Sequence, residues 1–106
     1  MKPLPVFFTK TADAAIREAS AWWFENRLSA PNAIAEEIER ALALVCVQPG
    51  IGSRALNIPL AGVRRVHLSR IHYYLYYRIS PLGTHLEVLA FWHTSRAGGP
   101  QLQEQR

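Results

Sequence analysis

From Ile71 to Ile79 the chain alternates with a period of two. Ile71, Tyr73, Leu75, Tyr77 and Ile79 fall on one side, and His72, Tyr74, Tyr76 and Arg78 on the other. That pattern fits an extended strand and no helix, because successive side chains of a strand point to opposite faces. Similar runs flank it, at Val63–Ser69 and from about His85 to His93, and "SPLG" supplies a turn before the last one. The final run, "LEVLAF", is apolar on both faces apart from Glu87, which predicts a strand covered on both sides.

The first half of the chain changes period. "LPVFFT" reads as a short strand. Ala12, Ala15, Ile16, Ala19, Trp22 and Trp23 then recur at helical spacing, predicting a helix to about Leu28 with Thr11 as its cap and Asp13 in its first turn. "LSAPNA" breaks the pattern. A second helix is expected with Ser29 as a candidate cap and Pro31 in its first turn. Its stripe is Ile34, Ile38, Ala41, Leu42 and Val45, ending at "QPG". So short a link makes the two helices an antiparallel hairpin. "IGSRALNIPLAG" reads as a loop. The order β-α-α-β-β-β defines an α+β fold, a helix hairpin on a three-stranded antiparallel meander joined by the N-terminal strand. A single domain over 1–96 is expected, followed by a polar, flexible tail over 97–106.

Charge is distributed unevenly. Residues 1–50 carry five basic and six acidic side chains, and residues 51–106 carry seven and two; all seven are arginines. Arginine presents a planar fork suited to phosphate, carboxylate and aromatic faces, so an anionic partner is one reading and a solvated basic surface the other. Cys46 is the single cysteine and allows no internal disulfide. His67, His72, His85 and His93 have no cysteine or carboxylate cluster at ligand spacing, so no metal is expected. No cofactor motif, leader or membrane span is recognisable, and a cytoplasmic location is expected.

Several pieces together resemble the RelE/ParE superfamily of small bacterial toxins. They are "AP" before "AEEIERALALV", the "QPGIG" exit, "GVRRV", "YYLYYRI" and "EVLAFWHTSR", in that order and spanning about Val6 to Arg96. The resemblance implies a type II toxin neutralised by a cognate antitoxin, with operator DNA reached only through the antitoxin. The superfamily has two branches. RelE-like members cut messenger RNA on the ribosome, and ParE-like members poison DNA gyrase by protein–protein contact. Under the ribonuclease reading, Arg64, Arg65, His93 and Arg96 would be catalytic. Two departures weigh against it: the last lysine is Lys10, and Tyr74 stands where that branch carries an arginine. The ParE-like reading is therefore favoured, with no catalytic residue and with Arg64 as a structural strut. A third reading is a non-toxic domain that only binds its antitoxin. Trp22 and Trp23, about 100° apart on a helix, cannot share one face. They join Tyr74, Tyr76 and Arg78 as candidate contacts for the antitoxin or the target.

Overall fold

A computed structural model describes residues 2–56 and 58–102. The chain runs β1 (Val6–Phe8), α1 (Lys10–Asn26), α2 (Ala33–Val45), a 3-10 turn at Pro49–Ile51, β2 (Ser53–Arg54), β3 (Arg64–Leu68), β4 (Tyr73–Ile79) and β5 (Leu86–His93). The five strands form one sheet in the order β1-β5-β4-β3-β2, with β1 parallel to β5 and the remaining pairs antiparallel. The helix pair packs on one face, giving the expected α+β architecture.

Local chemistry moves several boundaries from the expected places. Thr9, not Thr11, caps α1. Its backbone is extended (φ −69°, ψ 160°), and its Oγ1 accepts a hydrogen bond from the Ala12 amide at 3.1 Å. The same hydroxyl donates to the Leu89 carbonyl at 3.2 Å, so one side chain starts the helix and ties it to the sheet. Thr11 is already helical, where its hydroxyl cannot serve the first turn. The helix stops at Asn26 rather than Leu28. Ser29 does not cap α2 and Pro31 lies ahead of its first turn: the helix begins at Ala33 behind Asn32, which makes no side-chain cap. The run read as a loop from Ile51 contains β2, whose two residues pair with Arg64 and Arg65.

The core has two sides because the sheet is covered on two faces. Ala12, Ala19, Ile34 and Ile38 from the helices meet Ile71, Leu75, Val88 and Phe91. On the opposite, outer face Leu60, Val63, Tyr76, Leu89 and Ala90 cluster under the chain that follows β2, with Leu102 packed beside them. A bulge makes this possible. Tyr76 pairs with Ala90 and Tyr77 with Val88, leaving Leu89 without a partner on β4. The extra residue turns Leu89 and Ala90 outward together, while Val88 and Phe91 still face the helices. A stretch apolar on both sides thus satisfies both cores.

The expected tail at 97–106 falls partly outside the described residues. Within them, Pro100 is buried and Leu102 joins the outer cluster. No helix among the described residues is long and apolar enough to cross a membrane.

Candidate functional site

A groove of about 640 Å³ lies between the end of α1, the β3–β4 turn and the end of β5. Its floor is built from Ile71, Tyr73 and Phe91, the last two rings stacked 4.2 Å apart and nearly parallel. Trp22 and Trp23 form one wall. As their spacing on α1 requires, they part company: Trp23 packs against the core, whereas Trp22 is 49% exposed. Arg27, one turn beyond Trp23, lies over both rings, 4.9 Å from Trp22 and 5.6 Å from Trp23. Burial pushes the Tyr73 hydroxyl above its ordinary pKa, with the nearby Glu18 carboxylate adding to the rise, so Tyr73 remains neutral.

The opposite wall comes from the turn. Arg70 bridges Glu36 and Glu37 of α2, both at 3.0 Å, and these hydrogen bonds, Glu37 first, raise its already high pKa. Glu37 is buried, and Arg40 reaches it as well at 3.1 Å, so two cations neutralise this carboxylate. His72 follows with φ +62°, a left-handed conformation uncommon outside glycine, and its carbonyl accepts from the Thr94 amide at 2.9 Å. This contact anchors the chain just past His93. The His93 Nδ1 accepts from the Ser95 amide at 3.1 Å and meets the Ser95 hydroxyl at 2.7 Å. With Nδ1 accepting from an amide, the proton of the neutral ring sits on Nε2. The ring stands edge-on to Tyr73 at 5.0 Å.

Of the residues singled out from sequence, the groove gathers Trp22, Trp23, His93 and Arg96. The others lie elsewhere. The Arg64 Nη1 donates to the Gly52 carbonyl at 2.7 Å, binding β3 to the turn before β2. Arg65 lies 3.9 Å above the Tyr74 ring and donates to the Tyr76 hydroxyl at 3.2 Å. Arg78 is joined to Glu87 at 2.7 Å, an ion pair that holds the Glu87 carboxylate below its usual pKa, assisted by His85 at 3.4 Å. Tyr76, expected as a contact residue, is only 2% exposed and offers a partner no surface. Tyr74, facing away from the helices, keeps part of its ring open.

Arg27, Arg70, His72 and Tyr73 escaped the sequence reading. Arg27 had a usable signal, four residues after Trp23 on the same helical face. His72 and Arg70 had none, since only the turn geometry aims them. Among the described residues, no three His, Cys, Asp or Glu side chains gather so as to hold a metal ion.

A family model described as the ParE toxin of the type II toxin-antitoxin system parDE matches residues 6–98. The chain belongs to the ParE toxin family. Among solved structures, this ParE-family chain is similar to one described as the chromosomal ParDE TA system from P. aeruginosa. Identity is 18%, the match covers 87% of this chain and 97% of that one, and the TM-score is 0.63, a likeness of fold. No curated protein matches by sequence. ParE family membership assigns the chain to a type II toxin-antitoxin system, as the order of its motifs implied.

Proposed function

We propose that this toxin inhibits DNA gyrase through protein–protein contact, and that a cognate antitoxin neutralises it by covering the tryptophan-lined groove. One observation carries the choice against RNA cleavage. A cleaving site needs its cations and its proton-transfer group around a single phosphate. His93, on β5, pairs with Tyr73 of β4 and faces the helices, whereas Arg64, on β3, pairs with Tyr77, which lies four residues and roughly 13 Å along β4 from Tyr73. Arg65 sits on the other face, over Tyr74. The four residues that the ribonuclease reading requires therefore do not converge, which supports a contact mechanism.

For the antitoxin, the expected occupant is an amphipathic segment that seats an apolar side chain between Trp22 and Tyr73 and directs carboxylates at Arg27 and Arg96. A partly exposed tryptophan ringed by arginines is the side-chain combination that dominates binding energy at interfaces.

The test runs two assays on one preparation of antitoxin-free protein: gyrase supercoiling with cleavage-complex formation, and cell-free translation. Inhibited gyrase with normal translation is the expected outcome. Cut messenger with untouched gyrase would reverse the proposal, and normal growth after induction without antitoxin would reduce the chain to an antitoxin-binding domain.

A further inference from the structure

The outer face of the sheet differs in chemistry from the helical layer. Six acidic residues lie in or beside the helices: Asp13, Glu18, Glu25, Glu36, Glu37 and Glu39. On the outer face the one acidic side chain among the described residues is Glu87, already joined to Arg78. Arg54, Arg65 and Arg96 make no ion pair with a carboxylate among the described residues. Arg54 and Arg65 instead line a recess of about 210 Å³ beside Tyr76 and Gly98.

Next to these cations the strand register lines up aromatic rings. His67 on β3 is directly opposite Tyr74 on β4, and Tyr74 is directly opposite Trp92 on β5. The His67 and Tyr74 rings are 5.1 Å apart. Arg65 lies flat on Tyr74, and Arg96 lies 3.8 Å above Trp92. Such stacking orients each guanidinium while leaving N–H groups at its edge for a phosphate.

We propose that this outer face binds single-stranded nucleic acid, with phosphates on Arg54, Arg65 and Arg96 and bases along the row His67, Tyr74 and Trp92. Polyanion charge answers the unneutralised arginines, and an unpaired base can stack on a ring or on a guanidinium plane laid over one. An acidic protein segment would satisfy the charge but would leave the aromatic row unused. Arg96 also borders the groove assigned to the antitoxin, but Arg54, Arg65 and the row His67, Tyr74 and Trp92 lie outside it, so failure of this site would leave that assignment intact.

The experiment is fluorescence anisotropy of a labelled oligothymidylate of about 12 nucleotides against the full antitoxin-free chain, repeated from about 50 to 200 mM salt. Three phosphate contacts predict a slope of log affinity on log salt near roughly −2, since each contributes about −0.7 on single strands. Arg54→Ala and Arg96→Ala, at exposed positions, should each make the slope shallower by about 0.7 without changing the melting curve. Trp92→Ala should weaken binding by roughly 5- to 100-fold. Because Trp92 also packs on the outer cluster, His67→Ala at an exposed position tests the row independently, with a smaller loss in the same direction. A duplex of equal length should bind more weakly. Absence of saturable binding, binding indifferent to all four substitutions, or equal affinity for a polyglutamate peptide would overturn the proposal.

Discussion

The Tyr77 hydroxyl accepts a hydrogen bond from the Gly52 amide at 2.9 Å and donates one to the Pro49 carbonyl at 2.7 Å. A single buried side chain thereby satisfies two backbone groups of the turn that leads from α2 into the sheet. Burial raises the pKa of that hydroxyl, so it keeps the proton it donates. Tyr77→Phe should cost about 1–3 kcal/mol in urea unfolding, because both backbone groups lose their partner in a buried place. Gly52→Ala should also destabilise, since a Cβ there would stand 2.5 Å from the hydroxyl and 2.9 Å from the Arg65 carbonyl. The double variant relieves the first clash only, so its loss should be smaller than the sum of the two.

Arg64 holds the other side of the same turn through the Gly52 carbonyl. Arg64→Ala should lower stability by about 1–2 kcal/mol, in the range of a hydrogen bond from a charged group. If the residue is a strut, toxicity at low temperature should persist in the variant and fade on warming together with the fold. Complete loss of toxicity in a fully folded Arg64→Ala protein would instead give it a direct role.

The adjacent tryptophans should separate binding from stability. Trp22→Ala removes a half-exposed ring and should change stability by less than about 1 kcal/mol. It should nevertheless weaken antitoxin binding by more than about 30-fold, the scale of an interface hot spot. Trp23→Ala should cost about 2–4 kcal/mol of stability. The Trp23 Nε1 is buried and has no hydrogen-bond partner among the described residues, so Trp23→Phe should be tolerated far better than alanine. Paired calorimetric titrations and thermal melts would check all three.

His93→Ala should remain toxic, since the ring's Nδ1 is committed to Ser95 and the ring itself packs edge-on to Tyr73. Induction of the variant without antitoxin, scored by colony formation, is the direct check. A loss of the ~10²–10⁴-fold size that accompanies removal of a catalytic acid or base would contradict the contact mechanism.

The Glu87 pKa is depressed, mainly by the hydrogen bond from Arg78, relative to an ordinary value near 4.5. An acid held low in the folded state contributes stability that is complete above the unfolded pKa. That contribution disappears as pH falls through the lower folded value. Unfolding midpoints should therefore decline below about pH 4.5, and Glu87→Gln should flatten this part of the profile.

Much of the fold was readable because periodicity reports burial directly. The two-residue alternation of β4 and the helical stripe ending at Trp22 and Trp23 both found the surfaces they implied. Boundaries were less readable where two residues could do the same work. Thr9 and Thr11 are both plausible caps in isolation, and only the pairing of β1 with β5 decides that the chain is still extended at Thr9. Strand β2 was hidden because it is two residues long and depends on contacts with distant Arg64 and Tyr77. The candidate groove was half legible. Its tryptophans stand out in composition, but the turn that brings Arg70, His72 and His93 beside them leaves no periodic trace.

The parallel pairing of β1 with β5 also fixes an order of events during synthesis. Val6 to Phe8 are made long before their sheet partners, Leu86 to Val88. The Thr9 hydroxyl that begins α1 finds its second bond 80 residues further along. No growing chain can close this edge of the sheet until Val88 has left the ribosome. Until then the hydrophobic stripe of α1 lacks half of its floor, so the nascent protein remains an incomplete toxin until β5 has emerged.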